Sequence, residues 1–124
     1  MRSSETLNEF AGALAKAQGE MENATLNKIN PHFKSKYADL AALIQAVQKS
    51  LSKNGLALAQ GVTTNIEAKT ISVETMLMHS SGQWLSEVFS MPVLDWKPQG
   101  LGSTTTYCRR YGISAFLNLA AADD

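Results

Sequence analysis

The chain has 124 residues, 44% of them hydrophobic and 18% charged, with 11 basic groups balancing 11 acidic ones. That is the size of one ordinary domain, with enough apolar side chains to fold without metal or disulfide staples. A single cysteine, Cys108, excludes an internal disulfide and a cysteine-rich zinc module, and no apolar run approaches the length of a membrane span.

The expected elements follow in chain order. Residues 4 to 22 place Leu7, Phe10, Leu14, Ala17 and Met21 at helical spacing, with Ser3 or Ser4 available as a cap. Such a stripe needs a partner, either the chain's own sheet or a neighbouring subunit. Residues 23 to 36 are polar and punctuated by Asn30-Pro31, which favours connection or short strand over helix. A second helix is expected from Tyr37 to Lys53, on the apolar face of Leu40, Ile44, Val47 and Leu51, stopped by Asn54-Gly55.

From Leu56 the period changes to that of strands. Leu56 to Thr64, Thr70 to His79 and Gln83 to Val93 are rich in β-formers and joined by hairpin-length linkers, which predicts a three-stranded antiparallel meander. Face assignment is ambiguous, because Met76 and Met78 alternate against Ile71, Val73 and Leu77. Pro92 and Pro98 end the sheet, and a third helix is expected from Leu101 to Leu119. On its wheel Leu101, Thr105, Cys108, Gly112, Ala115 and Leu119 share one side, with Arg110 opposite and Arg109 at the flank. Gly112 in mid-helix makes sense only if something packs closely there. The expected order is α-α-β-β-β-α, an α+β fold in a single domain spanning residues 1–124.

Enzyme chemistry finds little footing. His32 and His79 are the only histidines, no metal-ligand spacing or hydrolase elbow accompanies them, and the acids Glu67, Glu74, Glu87 and Asp95 form no suggestive pair. Cys108 reads as core and His79 as a strand-end residue. The chain is therefore expected to be no enzyme, and no metal or other cofactor is expected.

Charge is distributed in blocks. Residues 28–66 carry five lysines against Asp39 alone, residues 97–122 carry Lys97, Arg109 and Arg110 with no acid, and an acidic block separates them. Surface scatter would explain this; so would a local positive groove, if folding joins the two blocks. Within the second block, Thr106-Tyr-Cys-Arg-Arg-Tyr-Gly112 interleaves two arginines with two tyrosines. Arginine offers a fork for phosphate oxygens, and tyrosine a face on which an unpaired base can stack. Pro31-His-Phe-Lys-Ser-Lys-Tyr37 repeats the basic-aromatic pattern. Gly100-Leu-Gly102 lacks the spacing of a nucleotide-binding loop, but with Ser103 and Thr104 at a helix start it could hold one phosphate; a tight turn after Pro98 explains it equally well.

Taken together, Asn30 to Leu40, Leu51 to Gly55, Leu77 to Trp84 and Gln99 to Tyr111 resemble the essential recombination function (ERF) family of phage single-strand annealing proteins, over roughly residues 28–124. The resemblance implies ATP-independent binding of single-stranded DNA and annealing of complementary strands during phage recombination, in large rings or filaments of identical subunits in the bacterial cytoplasm. By position it places DNA binding on Lys34, Lys36 and Tyr37, on Gly100, Gly102 and Ser103, and on Tyr107, Arg109, Arg110 and Tyr111. Thr105 and Cys108 stand where the family often has alanine, and Asn118 where it often has glycine. Family members continue into a variable tail after an acidic cluster, so Asp123-Asp124 suggests a core without its tail. Further partners implied are a phage exonuclease or a host single-strand binding protein, and no membrane. A protein that protects single strands without annealing them is the alternative reading.

Overall fold

The computed structural model describes residues 1–21, 28–32, 34 and 36–120. Phe33, Ser35 and Asp123-Asp124, which belong to the motifs above, lie outside the described residues.

The chain opens with a short strand, β1 (Arg2–Ser3), which pairs antiparallel with β6 (Trp84–Pro92), Arg2 opposite Ser86 and Ser3 opposite Leu85. Ser4 extends the pairing, exchanging hydrogen bonds with the Trp84 backbone instead of capping a helix. Helix α1 (Asn8–Glu20) therefore starts later than expected, and its exposed N–H groups are satisfied from afar. The Gln83 side-chain oxygen accepts from Glu9 N–H at 2.9 Å and Phe10 N–H at 2.8 Å. The α1 stripe is internal: Phe10 and Ala17 are buried, and Leu7, Leu14 and Met21 pack around the cluster of Val47, Leu51, Leu77, Ile113 and Leu117. A neighbouring subunit is not needed to cover it.

Strands β2 (Lys28–Ile29) and β3 (Lys36–Tyr37) form a small antiparallel hairpin, Lys28 opposite Tyr37. Helix α2 (Leu40–Lys53) begins after Tyr37, because Tyr37 is taken into β3 and Asp39 becomes the cap, accepting from Ala42 N–H at 2.9 Å. Asn54 closes α2, and Gly55, at φ +72°, supplies the left-handed turn into β4.

Strands β4 (Leu56–Asn65), β5 (Thr70–His79) and β6 form the expected meander, and β1 adds a fourth strand, giving the order β1-β6-β5-β4. The fold is α+β, but among the described residues its strands number four in one sheet and two in the hairpin, because pairs of residues too short to show a period are recruited by tertiary contacts. The face ambiguity is resolved: Ile71, Val73, Thr75 and Leu77 turn toward the helices and are buried, while Ser72, Glu74, Met76 and Met78 alternate with them on the open face.

Helix α3 (Pro98–Leu117) crosses the covered face over β5 and β6, with α2 beside it over β4. It starts three residues before the expected position, with Pro98 in the first turn. Gly100 and Gly102 are therefore helical, not part of a preceding loop. A Cβ on Gly100 would run into the Asp95 carbonyl oxygen, and one on Gly112 would sit 3.0 Å from Thr75 Oγ1 and 3.5 Å from Gln60 Nε2. The close approach expected at Gly112 is thus against the sheet. Asn118 ends the helix in the left-handed conformation at φ 58°, which explains why glycine suits that position.

One wheel assignment is overturned. The buried residues of α3 are Cys108, Arg110, Gly112, Ile113, Ser114 and Leu117, so Arg110 is interior and Ala115 is exposed. The helix is covered by the sheet on one side and, at Arg110, by Tyr37 and Ala38 of the segment that precedes α2, so a position away from the sheet is not thereby in solvent.

Candidate nucleic-acid interface

Arg110 joins the two basic-aromatic segments. It is only 2% exposed, and its Nε donates to the Ala38 carbonyl at 2.9 Å, just beyond β3. The guanidinium carbon lies 4.5 Å from the Tyr37 ring centre and 5.3 Å from that of Tyr111. A cation held over two aromatic faces is attracted by their quadrupoles, more strongly when desolvated. Segments far apart in the chain are thereby clamped together, and the β2–β3 hairpin is seated on α3.

Around this clamp lie groups that solvent can reach. Lys28, Lys34 and Lys36 are exposed on the hairpin, Lys34 in a left-handed conformation at φ 56° with its N–H donating to the Asn30 carbonyl. On α3, Tyr107 is 46% exposed and stacks on Tyr111, ring centres 6.2 Å apart and planes 25° from parallel. Phe89 meets Tyr111 edge-on at 6.2 Å and extends the row of rings to β6. A cleft of about 260 Å³ runs between the segments, lined by Tyr37, Asp39, Leu40, Ser103, Thr106, Tyr107 and Arg110. Ser103 and Tyr107 also line a second cleft on the far side, with Met91, Leu94 and Gly100.

The expected site residues thus separate by role. Lys34, Lys36, Ser103 and Tyr107 are exposed to solvent, and Tyr37 and Tyr111, half-buried, are held by the clamp. Gly102 is exposed and open, whereas Gly100 answers a packing demand at Asp95. Arg110, expected to contact phosphate, is committed inside the fold. Arg109 points to the other flank of α3, where its Nε donates to Gln60 Oε1 at 2.9 Å and Gln60 Nε2 donates to the Arg109 carbonyl at 3.1 Å. There it lines a cleft of about 300 Å³ with Gln48, Ser52 and Ala57. Nor is the helix free of acids in space: Asp39 lines the first cleft and Asp95 lies against Gly100.

Sequence reasoning does not single out Phe89 or Ala38. Strand alternation puts Phe89 on the helix-facing side with Leu85 and Met91, a signal that the pattern of β6 contains. Ala38 acts through its backbone carbonyl, which no side-chain pattern reveals.

His79 closes the β5–β6 turn, its Nδ1 2.8 Å from Ser81 Oγ. Burial raises the Cys108 thiol above its ordinary pKa, which disfavours the thiolate a nucleophile requires. Among the described residues no group of three or more His, Cys, Asp or Glu could hold a metal ion, and no helix is long and apolar enough to cross a membrane.

Residues 10–124 match the model of the ERF superfamily, which reaches across α1 as well as the four motifs. The chain belongs to the ERF superfamily, the family that its four motifs resemble. No curated protein and no solved structure matches it.

Proposed function

We propose that this chain binds single-stranded DNA and speeds the pairing of complementary strands without ATP, as an assembly of identical subunits acting in phage recombination in the bacterial cytoplasm. The observation that carries the reading is the Tyr37–Arg110–Tyr111 clamp, which brings the lysines of the hairpin and the exposed Tyr107 into one neighbourhood. Annealing requires strands held by their backbones with base edges left free, since base pairing itself supplies the sequence check. Lys34 and Lys36 neutralise phosphates, and Tyr107 offers a stacking face that leaves the pairing edge of a base accessible. One subunit carries few cations, so repetition in the assembly raises affinity through effective concentration. Ser103, beside Tyr107, adds a hydroxyl for a backbone oxygen. Arg110 positions the hairpin, and Arg109 serves a contact on the opposite flank.

Mixing complementary strands carrying a donor and an acceptor dye tests the reading. The protein accelerates duplex formation without nucleotide. Slower pairing than in buffer would identify a protector of single strands, and an unchanged rate with no retention of either strand would remove DNA from the account.

A further inference from the structure

The bend between β6 and α3 presents Leu94 to solvent. It is 97% exposed, more than any other large apolar side chain among the described residues. A lone exposed leucine is ordinary on a protein surface, but this one is carried on a braced segment. Val93, one residue before it, is buried and donates its N–H to the Lys69 carbonyl at 2.9 Å. Trp96, two residues after it, packs against the cluster of Ile71, Val73, Val93 and Cys108. The Asp95 backbone between them is pressed against Gly100. Leu94 is therefore held outward by its neighbours on both sides. With Met91 and Pro92 it supplies the apolar lining of a cleft of about 460 Å³. Tyr107 and Ser103 line this cleft too, and both also line the one beside the Tyr37–Arg110 clamp, so Tyr107 borders the two.

We infer that this cleft is a base subsite, in which Leu94 and Met91 hold the face of the nucleotide next to the one stacked on Tyr107. The inference rests on the single-strand binding proposed above and extends its footprint past Tyr107. Continuity is the first argument for a base as occupant: through Tyr107 and Ser103 a strand on the hairpin side reaches this cleft without leaving α3. Charge is the second. The lining carries one carboxylate, Asp95, and among the described residues no lysine or arginine, so it rejects a phosphate. The Asp95 side chain also lies against Gly100, which sets negative charge at the positive end of α3. What the cleft does offer is apolar surface and a polarisable thioether, which suit the uncharged face of a base. A leucine set against a base step is one of the apolar wedges by which proteins part stacked neighbours. With one base on Tyr107 and the next on Leu94, the step between them is opened. An unpaired strand is thereby kept from stacking on itself before its complement arrives.

Cysteine footprinting with oligothymidine tests the subsite. Cys108 is fully buried, so Leu94→Cys adds one reactive thiol at a position whose exposure makes the change harmless to folding. Saturating oligothymidine slows its labelling by a maleimide about fivefold or more. Ile66→Cys, on the β4–β5 turn and 73% exposed, labels at an unchanged rate. In parallel, Leu94→Ser weakens oligothymidine binding about threefold to tenfold and leaves the log–log salt slope as in the wild type, because no phosphate contact is lost. Unslowed labelling at position 94 while the oligonucleotide stays bound would overturn the inference and leave the single-strand reading standing. Protection at 94 with wild-type affinity in Leu94→Ser would overturn it as well, since the loop is then covered by something other than a base contact. Failure of the protein to retain oligothymidine at all would remove both this subsite and the reading beneath it.

Discussion

Arg109 and Arg110 are adjacent in the chain and serve opposite flanks of α3. Arg110 is sealed between two tyrosine rings and a backbone carbonyl, whereas Arg109 is half-buried and tied to the side chain of Gln60 on the edge strand. The difference teaches that a pair of arginines in a basic-aromatic motif need not be a pair of phosphate contacts. One of them braces the fold, holding Tyr37, Ala38 and Tyr111 together. The more conspicuous cation in the sequence is the structural one, and the exposed lysines of a two-strand hairpin carry the charge toward solvent.

The sharpest way to break this contrast is stability. Arg110→Ala removes a buried cation, its hydrogen bond and two ring contacts, and lowers unfolding free energy by about 3 kcal/mol in urea titration. Arg109→Ala, giving up one half-exposed bond, costs about 1 kcal/mol or less. Equal losses would erase the distinction. Next in size is the stacking face: Tyr107→Ala weakens binding of a short oligonucleotide roughly tenfold while leaving the salt slope unchanged. A changed slope with unchanged affinity at low salt would assign Tyr107 no base contact. Replacing Lys34 and Lys36 by alanine acts the other way, flattening the log–log salt dependence by roughly 0.7 for each phosphate no longer neutralised.

The smallest effect is on pH. Hydrogen bonds from Lys53 and then Asn54 depress the Glu20 carboxyl, and one from Arg2 depresses that of Glu74. A carboxyl depressed by folding contributes stability at neutral pH that diminishes as pH falls through its folded value. Melting temperature therefore drops below the ordinary carboxylate range, and Glu74→Gln reduces that drop slightly. Both pairs are solvent-exposed, so added salt shrinks the effect.

Long periodic segments are legible in the sequence: α2, the meander and the close approach at Gly112 all follow from patterns of apolar residues, turn signals and a mid-helix glycine. The family is legible too, from four motifs in order. Three features are not. β1 and the hairpin strands have two residues each, below the length at which alternation means anything. The start of α1 is hidden because its cap comes from Gln83, 73 or more positions away. The burial of Arg110 is hidden because a wheel sorts residues relative to one apolar side, and α3 is packed on two. Of the candidate site, the residue types and the two segments can be read in the chain. Which residue binds and which one braces cannot, because that depends on what folds over each.

The central claim is that residues 28–37 and the exposed start of α3 form one track for an unpaired strand. Amide hydrogen exchange with and without a saturating oligothymidine tests it most directly. Protection of both the hairpin backbone and the 103–107 turn, rising together with oligonucleotide concentration, is the predicted result. Protection of either segment alone, or of the Arg109 flank while both remain unchanged, would contradict it.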